Sequence, residues 1–168
     1  MLMNNPTPKN QAGMSMIESL IALLVISIGL LGIAAMQITS LKQSSSAHWS
    51  SQAVWYSYEI TDRIVANGSA FATYDGIDTN NDYDMDCGGS ACTTDQMVTA
   101  DASDWKEMVS NLPDGRGVIS SPAANALTVS VMWRDNTVTE DDDITESNCP
   151  DDLDNTEGMI CYTVTVTQ

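Results

Sequence analysis

The chain has 168 residues, enough for one globular domain of ordinary size. Its 23 Asp and Glu face 6 Lys and Arg, a formal net charge of −17. A surface that acidic repels the phosphate backbone of nucleic acids and offers no basic patch to anionic lipid. The single histidine, His48, excludes a histidine-rich metal centre and most histidine-based catalysis.

The 43% hydrophobic content is unevenly spread: much of it lies in the first quarter, while most of the acid lies after residue 74. From Ser19 to Leu41 no residue is charged. A run of roughly 20 apolar residues spans a bilayer as a helix. Lys9 precedes it, which keeps the short N-terminus cytoplasmic and exports the rest. A secretory signal has a shorter apolar region, so Ile33-Ala34-Ala35 makes a poor cleavage site. A plain membrane anchor explains the run but not Glu18 at its start, because a carboxylate at the membrane edge costs free energy unless something neutralises it. A cut after Gly13 would free an amine at Met14, four residues before Glu18, and the two charges could pair within a chain or between chains.

Gly13, Met14, Glu18 and the charge-free run to Met36 together resemble the type IV prepilin family. The resemblance implies a polar leader, residues 1–13, removed by a dedicated prepilin peptidase on the cytoplasmic face. It implies methylation of the new N-terminus at Met14 and a role for Glu18 in filament assembly. Many members have phenylalanine where this chain has Met14, and major pilins commonly have a proline in the apolar helix that is missing here. Gly29 and Gly32 supply local helix weakness instead.

Beyond the apolar run, Trp49, Ala53, Tyr56, Ile60 and Ile64 recur at three- and four-residue steps and share one helix face. Lys42, Ser50, Ser57, Glu59 and Arg63 offer polar positions, and Asn67-Gly68 is a stop signal. The pattern predicts one helix from about Met14 to Ala66, on the order of 80 Å long. The predicted division is a leader (1–13), a helix (14–67, with 14–41 in the membrane and later the filament core) and a head (68–168).

In the head, Phe71 to Gly89 is rich in Asp, Asn, Gly and Tyr and reads as loop. A helix follows, with Met97, Trp105, Met108 and Leu112 at helical spacings. Its cap is Thr93 or Thr94, with Asp104 and Glu107 as a second capping-box candidate. Leu112-Pro113-Asp114-Gly115-Arg116-Gly117 is a turn. Three strands are predicted at Gly117–Ser121, Ala126–Arg134 and Met159–Thr167. Leu127, Val129, Val131 and Trp133 share one face of the second, and Ile160, Tyr162, Val164 and Val166 one face of the last. Thr139 to Gly158 is acidic and loop-like. The fold class is α+β: a long N-terminal helix packed on a small antiparallel sheet.

Cys92-Thr93-Thr94-Asp95-Gln96-Met97, Asp104-Trp105, the Leu112–Gly117 turn and Val129-Ser130-Val131-Met132-Trp133 make the head similar to minor pilins of the PilV type. That resemblance implies a subunit of the pilus initiation or tip complex, with other minor pilins, the major pilin and a large tip adhesin as partners. It implies support of adhesion and twitching motility. The chain would reside in the inner membrane with a periplasmic head and then at the cell surface in the pilus.

Four cysteines in an exported chain suggest two disulfides, with three pairings open. Cys87–Cys92 and Cys149–Cys161 each close a local loop and are favoured; the second would tie the acidic loop to the last strand. A zinc site would need reduced thiols in tetrahedral geometry. Asp78, Asn80, Asp82, Asp84 and Asp86 place oxygen donors at alternate positions, as at the start of a calcium loop. Tyr83 stands where such a loop has glycine and Gly89 where it has glutamate, so a solvated acidic loop is the simpler reading. The same holds for Asp141-Asp142-Asp143 with Glu146, Asp151, Asp152 and Asp154. No cofactor is expected beyond that candidate calcium, and no catalysis, since His48 lies on the stalk and nothing selects a carboxylate pair. Three rival readings are a type II secretion pseudopilin, a membrane-tethered calcium-binding module and a catalytic periplasmic domain.

Overall fold

The computed structural model describes residues 15–89, 91–135, 149–150, 153 and 158–168. Gly13, Met14 and the acidic residues from Asp141 to Glu146 lie outside them, as do Asp151, Asp152 and Asp154. The chain divides into two compact units, residues 1–41 and 42–168.

In the first unit every described residue from Met16 to Leu41 belongs to helix α1 (Met16–Ala66), and the large side chains of the apolar run are exposed. Ser27 and Thr39 turn their hydroxyls back onto the carbonyls of Leu23 and Ala35, so neither leaves an unpaired polar group on the apolar surface.

The second unit is built on the remaining turns of α1. Ala53, Tyr56, Ser57, Ile60 and Ile64 are buried there, with Trp49 packed against the same core. That is the face the spacing predicted, with Ser57 added; its hydroxyl is satisfied by the carbonyl of Ala53 at 2.8 Å. The helix ends at Ala66. Asn67 holds the exit by donating its side-chain amide to the carbonyl of Thr94 at 3.0 Å.

Gly68–Tyr74 then forms a 3-10 helix, where the composition predicts loop only from Phe71 onward. Ala70, Phe71 and Tyr74 are buried and anchor it, an apolar triplet diluted by the polar residues around it. Gly76 follows at φ +83°, a left-handed conformation suited to glycine, and its N–H reaches the carbonyl of Ile119.

Helix α2 (Thr94–Val109) starts with a capping box. The Thr93 hydroxyl accepts from the Gln96 N–H, and the Gln96 side chain accepts from the Thr93 N–H. Thr94 is therefore the first helical residue and not the cap, and Asp104 lies inside the helix, so no second box forms. The buried stripe is Val98, Ala102, Trp105 and Val109; of the predicted positions Trp105 and Leu112 are buried, Leu112 after the helix has ended, Met108 packs against the core, and Met97 is exposed. Trp105 is fully buried and donates its indole N–H to the carbonyl of Tyr56 at 3.1 Å. Gly117 lies against that ring: a Cβ there would stand 2.5 Å from Cη2.

The sheet is antiparallel, in the order β1 (Arg116–Ala123), β2 (Ala126–Arg134), β3 (Met159–Thr167). β2 and β3 have the predicted ends. β1 begins one residue earlier and ends two residues later than expected, through a register irregularity between Ser120 and Ala123 that accommodates Pro122. Leu127, Val129, Val131 and Trp133 face the main core, as alternation predicts. Met132 is buried as well, in a second, smaller cluster with Val118, Met159, Cys149 and Cys161. The Cys149–Cys161 disulfide covers that face of the sheet, which alternation alone assigns to solvent.

Candidate functional site

Two regions carry chemistry, and they fall in different units. The first is the start of α1. Glu18 lies in its first turn, where a carboxylate complements the positive end of the helix dipole, and its N–H is bonded to the carbonyl of Ser15 at 3.0 Å. Behind it Leu20, Ile21, Leu23, Leu24, Val25, Ile26, Ile28, Leu30 and Leu31 are each more than half exposed. This segment is long and apolar enough to cross a membrane. Glu18 is the only charged residue between Met16 and Leu41, so the segment can enter lipid or a bundle of like helices at the cost of one charge.

The second region is a set of ion pairs in the head. Arg63 of α1 donates to Asp101 at 3.1 Å and to Asp104 at 2.8 Å, and meets Glu59 one turn earlier on its own helix. Asp101 is buried and also accepts from the Tyr74 hydroxyl at 2.5 Å. Burial and the adjacent Asp101 carboxylate together push the Tyr74 phenol well above its ordinary pKa. One carboxylate thus joins α1, the 3-10 helix and α2. The sequence held a signal for this: Asp101 stands three residues after Val98 and four before Trp105, on the edge of the buried stripe, where an acid requires a cation.

The alternating acidic stretch is partitioned between two cations of the chain. Asp78 takes the Arg116 guanidinium in a two-pronged pair, Nε to Oδ1 at 3.1 Å and Nη2 to Oδ2 at 2.7 Å. The same Oδ1 accepts from the backbone N–H of Asn80. Burial pushes the Asp78 carboxyl up, but Arg116 and the Asn80 N–H outweigh it and hold the group below the usual carboxylate range. Asp82 is bound by Lys106 at 2.7 Å and is lowered by that hydrogen bond, while Asp84 is exposed. Asp78 and Asp82 therefore face different cations. Among the described residues, no group of three or more His, Cys, Asp or Glu side chains converges as a metal site.

Both disulfides are local. Cys87–Cys92 precedes the Thr93 cap of α2, and Cys149–Cys161 fixes a point of the β2–β3 connection to β3. Cross-links closing loops of this size contribute roughly 2–3 kcal/mol each by restricting the unfolded chain.

Residues 35–103 match the family model of the type IV pilin Tt1218, and residues 8–34 match the prokaryotic N-terminal methylation motif. No curated protein and no solved structure matches the chain. The methylation motif implies processing by a prepilin peptidase and assembly with other pilins. The two matches adjoin, and the fold they meet is an apolar N-terminal helix followed by a three-stranded antiparallel head: the chain is type IV pilin-like and carries the prepilin N-methylation motif.

Proposed function

We propose that the chain is a minor type IV pilin of the PilV type. It is made with a leader ending at Gly13, cut there, methylated at Met14, and built into the initiation or tip complex of a pilus that serves adhesion and twitching motility. The observation that carries this reading is the exposed apolar run of α1 headed by a single carboxylate. Such a surface is unfavourable in water, so it is stable first in the inner membrane and then among like helices. Glu18 would neutralise the Met14 ammonium of its own or a neighbouring chain, which favours the assembled over the isolated helix. The resemblance of the head to minor pilins, through Cys92 to Met97 and Val129 to Trp133, favours a minor over a major subunit.

The test is the mass of the mature N-terminus, measured in cells with and without prepilin peptidase. A chain starting at methylated Met14 only when the peptidase is present is the expected result; an intact Met1 or a cut near Ala35 would overturn the reading. Glu18→Ala should leave membrane insertion intact and abolish recovery of the protein in sheared pili. A type II secretion pseudopilin shares the leader logic, and a deletion strain separates the two, by loss of motility or of secretion. A calcium role for residues 78–86 would have to displace Arg116 or Lys106, and calorimetry with calcium, comparing wild type with Asp82→Ala, tests it.

A further inference from the structure

Among the described residues the last strand of the head has an unpaired outer edge, and the hydrogen bonds of β1 show which of its groups face it. Gly117 gives its N–H to the Thr79 hydroxyl at 2.8 Å, and its carbonyl takes the Thr79 N–H at 2.9 Å. Ile119 gives its N–H to Ile77 and takes that of Gly76. Both residues point their backbone away from β2. Their partners Val131 and Val129 therefore point toward β3, where they face Tyr162 and Val164. Alternation then sends the N–H and C=O of Thr163 and Thr165 outward. Among the described residues nothing bonds to these outward groups.

This edge lacks the usual guards. Met159 to Gln168 contains no charged residue and no proline in a chain with 23 acids, and the β2–β3 register runs unbroken from Arg134–Met159 to Ala126–Thr167. Natural edge strands are ordinarily blunted by a lysine, a proline or a bulge. β1 has what β3 lacks: its outer edge is covered by residues 76–79. Tyr58 of α1 lies against Tyr162 of β3 and makes an aromatic ledge there, and Trp55, one turn earlier on the helix, is 61% exposed.

We propose that the β3 edge is a docking site for an extended, cationic segment of another protein, added as a fourth strand through the outward groups of Thr163 and Thr165. Backbone groups in this pattern recognise an extended chain. An added strand alternates its side chains, so apolar residues face the Tyr58–Tyr162 ledge and polar ones lie beside Thr163 and Thr165. Charge selects the sign. Arg63, Lys106, Arg116 and Arg134 are each held by a carboxylate, so the unbalanced charge of the head is negative. A second copy brings an uncharged β3 and the same acidic surface, and is disfavoured by repulsion.

The test uses the full chain in micelles of a non-ionic detergent, with a fluorescent acetyl-Lys-Val-Lys-Val-Lys-Val-Lys-amide peptide as probe. Binding should be seen by anisotropy, and the amides of Thr163 and Thr165 should exchange about tenfold more slowly in its presence, because they become hydrogen-bonded. Thr165→Pro removes an outward N–H without touching the β2–β3 ladder and should abolish binding, while Thr165→Val should retain it. The same peptide with every amide N-methylated keeps its charge but cannot form a ladder. Equal binding of that peptide would reduce the effect to charge alone and overturn the proposal. So would unchanged exchange at both threonines, or protection that appears without peptide and grows with protein concentration, which would assign the edge to a second copy.

Discussion

Asp78 shows how a single residue changes meaning between sequence and structure. In the sequence it opens an alternating series of oxygen donors; in the fold it receives a two-pronged guanidinium from Arg116, 38 positions away. A carboxyl whose folded pKa lies below its unfolded value stabilises the fold above the unfolded pKa and loses that contribution as pH falls through the folded one. Asp78 is depressed, so its contribution should be fully present above about pH 4 and be lost progressively as pH falls below that. Denaturant unfolding at stepped pH should show Asp78→Asn destabilised at pH 7 and close to wild type at pH 2. A variant that tracks the wild type at every pH would refute a role for this pair. Asp82 is exposed at its carboxylate and contributes little by comparison. Glu18, by contrast, was legible from sequence alone, because a lone carboxylate against a charge-free run stands out without knowledge of the fold.

Among the elements, α2 carries the sharpest local signal. Thr93 and Gln96 satisfy each other's backbone donors, and Thr93→Ala should cost about 1 kcal/mol, read as a lower denaturation midpoint with unchanged slope. No shift in midpoint would mean that the Cys87–Cys92 link alone sets the start of the helix. Strands β2 and β3 were legible to the residue because their apolar positions alternate over eight or nine residues. The 3-10 helix was not, because two short turns broken at Ala70 are too brief to show a period. At the start of α2 Met97 and Val98 are apolar neighbours, and spacing alone does not tell which turns inward; the fold buries Val98 and exposes Met97.

At the scale of the whole molecule, the charge of −17 is the dominant electrostatic fact. Self-repulsion at that charge destabilises compact states and like-with-like association, and salt screens it over a Debye length of about 10 Å at 0.1 M against about 30 Å at 0.01 M. The thermal midpoint of the full chain in non-ionic detergent should therefore rise by several degrees between about 10 mM and 100 mM salt. A falling midpoint would mean that the paired sites of Arg63, Arg116 and Lys106 outweigh the surplus acid.

The sequence by itself determined the membrane-length helix, its lone carboxylate, the stalk face and the alternation of the last two strands. These are properties of a segment, set by residues within a turn or two of one another, so periodicity reveals them. Only the tertiary structure decided what joins distant segments. It drew Arg63 to Asp101 and Asp104, Arg116 to Asp78, and Cys161 with Cys149 over a second small core, and it covered the edge of β1, while among the described residues that of β3 has no partner. Ion pairs and sheet edges depend on which residues meet across dozens of positions of chain, and no local pattern records that meeting.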